Sequence, residues 1–352
     1  MNTRTSILTI VLVLVTVTGL NDAPNIVATP ASGGTQTYTE GNAAISLFSN
    51  AGAAYIGGAN AETNQRHIQL TFTVSNVADG GDEKITVDGS EVNLTNGTNV
   101  STSNTACSVA VSGTTATVTV SDFTFTNTQL KNLIKGLKYR NSSDNPTTSG
   151  NRTVTLTSVR DNGGTANGGV DTNTNPTAKS NTATITVAGV NDAPIANNDT
   201  GSVNEGATLS QNAGAGVRAN DTDVDGNTLT VTAVRTGAEG GSGTGGSVGS
   251  ALTGTLGRLT LAADGSYSYV ADQNGANVLA AGATATDVFT YTVSDGTTTD
   301  TGQITVTVTG INDAPIANND TGSVNEGATL SQNAGAGVRA NDTDVDGNTL
   351  TV

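Results

Sequence analysis

Tryptophan is absent from the 352-residue chain, which has one cysteine and one histidine. Aromatic residues make up 3% of the sequence, so a pocket lined by large aromatic side chains is not expected. With Cys107 alone, no intrachain disulfide can form, and Cys107 and His67 together cannot build a zinc site from cysteine and histidine. A catalytic triad or dyad that depends on histidine would have to use His67 itself.

Basic residues are also scarce. The 14 lysines and arginines face 30 aspartates and glutamates, so the formal net charge is −16. A chain with this charge repels phosphate backbones and anionic lipid headgroups, which argues against binding to nucleic acid or to a membrane surface. Direct insertion into a membrane is not expected either, for want of an apolar segment. Apart from the first 20 residues, no stretch approaches the roughly 18 consecutive apolar residues of a membrane-spanning helix. The surplus of carboxylates favours divalent cations instead.

The sequence contains a long internal repeat. Residues 191–231 recur without a change at residues 312–352, an offset of 121 positions, and the opening Asn-Asp-Ala-Pro also occurs at residues 21–24. This period is much longer than that of a solenoid repeat, so each unit can bury a core of its own. We therefore predict a longer domain at 21–190, a second at 191–311, and a truncated start of a further identical domain at 312–352.

Residues 1–20 allow two interpretations. Val13–Gly19 precedes the first Asn-Asp-Ala-Pro as Ile304–Gly310 precedes the third, which favours the terminal strand of a preceding repeat. Alternatively, Arg4 followed by the apolar run at 7–17 is typical of a signal peptide, although no convincing cleavage site follows. The sequence leaves both interpretations open.

Strand patterns dominate the units. Ile304, Val306 and Val308 alternate with threonines, which is the period of two of a half-buried strand. Residues 259–261 and 267–269 flank an Asp-Gly pair and predict a hairpin. Short strands at this density, separated by Gly, Asn and Asp turns, predict an all-β fold of tandem antiparallel β-sandwich domains, the last one truncated.

Three local features carry their own predictions. Leucine and isoleucine recur at helical spacing over residues 128–137, which predicts a short helix that Asn127 could cap. His67 precedes a strand and is expected at the surface or at a strand edge. Cys107 lies in a β-branched run and is expected to be a small buried strand residue.

Carboxylates have the clearest chemical pattern. Asp221, Asp223 and Asp225 stand at alternate positions before Gly226 in a loop that the repeat copies. Alternate side chains in a tight loop can converge on one hard cation, and the glycine permits the bend. An EF-hand is excluded, because the twelfth position holds Thr232 instead of glutamate. Aspartate turns that bind no metal are the alternative.

A second acid recurs at a similar place in each unit. Glu205 lies 14 residues after Asn191, and Glu40 lies 19 residues after Asn21. With the Asn-Asp-Ala-Pro joints, this arrangement resembles cadherins, in which calcium lies between successive sandwich domains. The closer resemblance is to the bacterial cadherin-like and VCBS-type repeats of large secreted, RTX-like surface adhesins. It is carried by the joints, by NDTDVDGNTLTV and by DVFTYTVSDG, and it implies cadherin-like or immunoglobulin-like sandwiches.

The resemblance also implies Ca²⁺ at the two joints. The residues that it assigns as metal ligands are Glu40, Asn191, Asp192, Asp221 and Asp223 at the first joint, and Glu205, Asn312, Asp313, Asp342 and Asp344 at the second. The alternating pattern of the two aspartate loops adds Asp225 and Asp346 as candidate ligands. The joints lack the second Asn or Asp that cadherin linkers place before Ala-Pro. This difference implies fewer or weaker ions, in the ~10⁻⁴–10⁻³ M range of extracellular calcium modules.

The expected function is that of a calcium-stiffened extracellular repeat array of a bacterial surface adhesin. The array would serve cell adhesion and biofilm-type contacts as spacer and adhesive module, without enzymatic activity. Its partner would be a second copy, another cell-surface protein or a glycan. The alternative is a glycan-binding or accessory module of a larger secreted enzyme.

Overall fold

The computed structural model describes residues 24, 26, 28–31, 34–51, 66–163, 171–173 and 181–352. The chain forms two compact units, Met1–Val190 and Asn191–Val352, and the predicted all-β sandwich fold is confirmed. Among the described residues, no helix combines the length and the apolar character needed to cross a membrane. Residues 1–20, with their two interpretations, lie outside the described residues.

The first unit is built from two main sheets. Its described strands are β1 (Ala28–Pro30), β2 (Thr35–Thr39), β3 (Ile45–Ser46), β4 (Phe48–Ala51), β5 (His67–Ser75), β6 (Glu83–Val87), β7 (Ser90–Asn93), β8 (Asn99–Ser101), β9 (Ala106–Ser112), β10 (Thr115–Ser121), β11 (Lys138–Asn141), β12 (Arg152–Asp161), β13 (Thr172–Asn173) and β14 (Thr182–Ala188). One sheet has the order β2-β14-β12-β5-β10-β9-β8, with β13 beside β12, and the other has the order β3-β11-β6-β7. Strands β1 and β4 pair separately.

The core of the first unit follows the alternation of its strands. In β5, Leu70, Phe72 and Val74 are buried, whereas the threonines between them are only partly covered. Tyr38 of β2 and Tyr139 of β11 meet edge to face with ring centroids 5.7 Å apart, which links the two main sheets. Cys107 in β9 is buried, as predicted.

A short helix, α1 (Asn127–Lys135), confirms the predicted helical segment. Its N-cap is Thr126, one residue earlier than expected, and the Thr126 side chain accepts a hydrogen bond from the Gln129 N–H. The Gln129 side chain in turn accepts from the Thr126 N–H at 2.9 Å, which completes a capping box. The helix buries Leu130, Leu133 and Ile134 of the predicted apolar face, whereas the fourth member, Leu137, is buried two residues beyond the end of the helix.

A buried ion pair in the first unit joins the first residue of β12 to the first residue of β6. Arg152 opens β12 and is fully buried, and its guanidinium lies 2.6 Å from a carboxylate oxygen of the fully buried Glu83. The same guanidinium lies 3.2 Å from Asp79, which also accepts from Thr147 N. Buried charges persist only when they are paired and hydrogen-bonded, so this cluster constrains the loop before β6 and the start of β12 together.

His67 is fully buried, and the predicted surface position was wrong. The sequence shows only that His67 precedes an apolar strand, whereas in the fold its backbone exchanges two hydrogen bonds of 2.8 Å with Phe125. Its Nε2 lies 2.8 Å from Asn127 Oδ1 at the start of α1. Burial lowers the pKa of His67, although Asn127 and Asp161 partly offset the shift.

This burial predicts acid sensitivity in the first unit. Below the ordinary histidine pKa of about 6.5, the unfolded chain binds a proton that folded His67 resists. The free energy of unfolding should therefore fall with decreasing pH, by up to about 1.4 kcal/mol per pH unit. Urea unfolding of the wild type and of His67→Gln at neutral pH and near pH 5.5 tests this. Equal losses in the two proteins would assign the effect to other groups.

The second unit has the same two-layer arrangement. Its strands are β15 (Asp199–Asn204), β16 (Thr208–Gln211), β17 (Thr230–Thr236), β18 (Gly245–Gly246), β19 (Ala251–Thr253), β20 (Arg258–Leu261), β21 (Tyr267–Val270), β22 (Thr284–Ser294) and β23 (Thr299–Thr309), with a short helix α2 (Asn274–Asn277). The sheets have the orders β15-β23-β22-β17-β18 and β16-β21-β20-β19. The predicted hairpin is β20–β21, and Gly265 in its turn has a φ of +84°.

The described residues of each unit also include a parallel strand pair, which the sequence did not predict. Strand β2 runs parallel to β14, and β15 runs parallel to β23. In both cases the first main-sheet strand of the unit pairs with its last strand. Hydrophobic alternation reports which face of a strand is buried but not which strand lies beside it, so this pairing has no local signal.

Residues 312–352 repeat the sequence of 191–231 but contain no strand. The loop geometry is nevertheless preserved, because Ile316 and Thr343 form the same isolated bridge as Ile195 and Thr222. Several apolar side chains of this segment are exposed, including Val324 at 54% and Val338 at 56%.

Candidate metal centre

The candidate centre in the second unit begins with Glu205, directly after β15. Its backbone N–H donates to Thr309 O at 2.9 Å, and Gly206 follows with a φ of +70°. This turn buries the carboxylate, which is 6% exposed, and one oxygen accepts a hydrogen bond from the Ile311 N–H. The other oxygen, Oε2, is buried without a hydrogen-bond partner among the described residues.

The repeated aspartate loop supplies the other side of the centre. Gly347 has a φ of +74°, and Asp344 Oδ1 accepts from the backbone N–H groups of Asp346 and Asn348 at 3.0 and 3.2 Å. This turn directs Asp346 toward the joint, where its Oδ2 accepts from Asp313 N at 2.8 Å. The third aspartate of the loop therefore reaches the joint, because the glycine turn follows it immediately.

Glu205, Asp313 and Asp346 come together in one cluster. One carboxylate oxygen from each lies within 4.8 Å of the others. Glu205 Oε2, Asp313 Oδ2 and Asp346 Oδ1 are buried acceptors without a hydrogen-bond partner in the described part of the chain. Like charges about 4 Å apart repel by about 1 kcal/mol in water and by about 4 kcal/mol at an effective dielectric constant near 20. Three converging oxygen ligands and excess negative charge fit a hard divalent cation such as Ca²⁺.

The remaining side chains assigned to this joint have other contacts. Asp342 Oδ1 accepts from Asn318 N at 2.8 Å, and Asp344 caps its own turn. Asn312 donates from Nδ2 to Asp313 O at 2.7 Å and accepts through Oδ1 from Asn348 at 3.1 Å. These three side chains support the loop and the joint backbone, and the carboxylates of Asp342 and Asp344 are not part of the cluster.

The first joint repeats the aspartate pair. Asp192 N donates to Asp225 Oδ2 at 2.8 Å, and Asp192 Oδ2 is a buried acceptor without a partner among the described residues. Asp223 Oδ1 accepts from Asn227 N at 3.1 Å, as its copy does in the second loop. Asn191 donates to Asp192 O at 2.7 Å. The loop-to-joint contact is therefore a property of the repeated sequence.

Glu40 occupies the same position in the first unit as Glu205 does in the second. Its backbone N–H donates to Ala188 O at 2.9 Å, and its Oε2 accepts from Val190 N at 2.8 Å. In both units the glutamate thus holds the backbone N–H of the residue directly before the Asn-Asp joint. The two glutamates are equivalent in structure although their distances from the preceding joint differ by five residues.

Asp221, the first aspartate of its loop, belongs to a different environment. Its Oδ1 accepts from Asn197 N at 2.7 Å and from the Tyr291 hydroxyl at 3.1 Å. Burial and the neighbouring Asp221 carboxylate raise the pKa of Asp199 to about 7. Sequence reasoning missed Asp199 and Tyr291, because no spacing rule relates the start of β15, the loop and β22.

Comparison with solved structures gives distant likenesses. Drosophila N-cadherin EC1-3 is 8% identical over 83% of this chain and 69% of that chain, with a TM-score of 0.25. The protocadherin GammaB4 extracellular domain is 12% identical over 86% of this chain and 36% of that chain, with a TM-score of 0.34. An endo-fucoidan hydrolase from glycoside hydrolase family 107 is 12% identical over 81% of this chain and 30% of that chain, with a TM-score of 0.20. Scores this low assign neither fold nor function.

Sequence comparison is more specific for the second unit. No curated protein matches the chain. Residues 191–310 match the family model of the bacterial cadherin-like domain. The matched range begins at the Asn-Asp joint, contains Glu205 and both sheets of the second unit, and ends directly before Ile311. Residues 191–310 therefore form a cadherin-like domain.

Proposed function

We propose that this protein is a calcium-stabilised, extracellular adhesion-type module of a bacterial surface protein. One observation carries the proposal: the carboxylate oxygens of Glu205, Asp313 and Asp346 converge within 4.8 Å, and each residue presents a buried acceptor without a partner among the described residues. Buried polar groups are normally hydrogen-bonded, so three such acceptors in residues of one cluster favour the binding of a cation there.

Each of the three residues holds a different segment. Glu205 binds the backbone of Ile311 at the end of the cadherin-like domain. Asp313 belongs to the joint, and Asp346 belongs to the loop that follows and binds the Asp313 backbone. Bound Ca²⁺ would supply the positive charge that offsets the repulsion among these carboxylates. Domain end, joint and loop would then be held at one point, which stiffens the joint.

The wider role follows from the repetition of this arrangement. The loop-to-joint contact occurs at 192 and again at 313, so an array of such domains would be stiffened at each joint. A stiff, acidic array suits a spacer and adhesive module outside the cell, in cell adhesion or biofilm-type contacts, with no catalytic role. Its partner would be another copy or a different cell-surface molecule.

Calcium titration of the full chain tests the proposal. Thermal unfolding of the second unit should move to higher temperature as calcium is added after chelation. The stabilisation should approach about 2.7 kcal/mol when free calcium exceeds the Kd a hundredfold. Glu205→Gln and Asp313→Asn should remove most of this shift, since each replaces a charged ligand with an amide of nearly the same size.

Asp264→Asn is the matched control. Asp264 is an exposed turn residue that accepts from Ser266 N at 3.0 Å, outside the cluster. This variant should keep the full calcium shift. The proposal would be contradicted if millimolar calcium left the melting temperature of the second unit unchanged. It would also be contradicted if all three variants lost the calcium-dependent shift equally.

A further inference from the structure

The first unit contains a groove that the calcium centre does not use. Its volume is about 330 Å³, within the roughly 300–1,000 Å³ range of small-molecule sites. It lies between the turn that joins β6 to β7, the turn at Asn104 and one face of α1. The residues that line it are Asp88, Gly89, Asn104, Phe125, Gln129, Asn132, Leu133 and Gly136.

Asp88 is held in a defined position at one side of the groove. Its Oδ2 accepts from the Thr102 hydroxyl at 2.8 Å and from Asn104 N at 2.9 Å. Its Oδ1 has only a longer contact of 3.3 Å with Asn104 Nδ2. A carboxylate oxygen has two lone pairs, so Oδ1 keeps capacity to accept from a ligand hydroxyl.

Helix α1 supplies two amide side chains to the lining of the groove. Gln129 Oε1 already accepts from the N–H and the hydroxyl of Thr126, so its Nε2 remains as a donor. The exposed Asn132 side chain forms no hydrogen bond with any described residue, and it offers both a donor and an acceptor. The capping box orients Gln129 before any ligand arrives.

Phe125 supplies an aromatic ring to the lining of the same groove. Its ring is partly buried and packs against Phe123 with centroids 4.6 Å apart, which fixes its orientation. The groove thus combines one aromatic ring with the Asp88 carboxylate as an acceptor, the Gln129 amide as a donor, and the Asn132 amide as both donor and acceptor. Vicinal hydroxyls each donate and accept, and the C–H face of a sugar ring is apolar, so a saccharide matches every part of this set.

We propose that this groove binds a neutral saccharide of one or two rings. Neutral sugars are specified because Asp88 is the charged residue among those that line the groove, and the chain carries a net charge of −16. A uronic or other acidic sugar would place its carboxylate against Asp88. The site lies in the first unit and does not depend on calcium at Glu205.

Saturation-transfer NMR with the full chain tests this site. The probes are the methyl glycosides of glucose, galactose, mannose and N-acetylglucosamine, with the methyl glycoside of glucuronic acid as the acidic counterpart of glucose. At least one neutral probe should bind, and the glucuronide should bind more weakly than the glucoside. Asn132→Ala and Gln129→Glu should each weaken the neutral probe about tenfold, because each removes a hydrogen-bonding group from the groove.

The variants are chosen so that the fold is preserved. Glutamate at 129 still completes the capping box, and alanine at the exposed position 132 favours the helix. Thr128→Ala, at an exposed position of α1 outside the groove, is the control and should bind as the wild type does. The proposal is overturned if no neutral probe binds, if the glucuronide binds as well as the glucoside, or if the groove variants and the control bind alike.

Discussion

Replacing Arg152 with methionine should lower the free energy of unfolding of the first unit by about 3–5 kcal/mol. The guanidinium is fully buried and lies 2.6 Å from Glu83, which is fully buried too. Without it, the Glu83 carboxylate stays in the interior with no cation to balance it, and Asp79 loses its contact at 3.2 Å. Breaking such a pair from one side costs more than the pair contributes as a whole.

Urea unfolding of the full chain, followed on the transition of the first unit, measures this loss. Arg140→Met is the matched control, because Arg140 pairs with Glu91 at 3.1 Å on the surface. An exposed pair contributes about 0–1 kcal/mol. The double change Arg152→Met with Glu83→Gln should recover part of the loss, since it also removes the buried negative charge. If Arg152→Met lowers the free energy of unfolding no more than Arg140→Met does, the claim that removing Arg152 leaves a costly unpaired charge in the interior is wrong.

Asp287→Ala should destabilise the second unit by at least about 3 kcal/mol. The Asp287 carboxylate is 4% exposed and accepts four hydrogen bonds. The donors are the backbone N–H groups of Thr255 at 2.9 Å, Leu256 at 2.9 Å and Gly257 at 3.0 Å, and the Tyr269 hydroxyl at 2.7 Å. Alanine would leave these donors in the interior without an acceptor, which costs their full desolvation.

Calorimetry of the full chain can separate the transition of the second unit from that of the first. Asp272→Ala is a suitable comparison, since Asp272 is a more exposed carboxylate that pairs with Arg258. Its loss should change the stability of the second unit much less than the loss of Asp287 does, because solvent screens an exposed ion pair. Tyr269→Phe should have an intermediate effect, because it removes one of the four donors. Similar losses of stability in Asp287→Ala and Asp272→Ala would show that the hydrogen bonds from the backbone N–H groups of residues 255–257 contribute little.

Much of the fold could be read from local patterns. The alternation of Ile304, Val306 and Val308 placed a strand with one buried face, and β23 has that face in the core. Helical spacing over 128–137 placed α1, because the apolar residues fall on one side of a helix at 3.6 residues per turn. These patterns involve residues that are close together in the chain, so they can be recognised without knowledge of the rest of the structure.

The candidate site was only partly accessible to the same reasoning. The pattern of alternating aspartates indicated a cation, but it did not distinguish Asp342, which binds Asn318, from Asp346, which joins Asp313 and Glu205. That difference depends on the direction of each side chain as the loop turns at Gly347. The burial of His67 likewise depends on Phe125, a residue distant in sequence.

The two identical segments show which structural features depend on the local sequence and which depend on tertiary contacts. Their aspartate loops are nearly the same: the glycine φ is +74° in both, and the aspartate-to-joint hydrogen bond is 2.8 Å in both. The sequence alone determines this loop, because the hydrogen bonds that both copies share lie within the repeated segment. Residues 199–204 and 208–211 are strands, whereas the same residues at 320–325 and 329–332 are not. Only the tertiary structure decided this difference, since a strand needs a neighbour, and β23 and β21 lie beside the first copy.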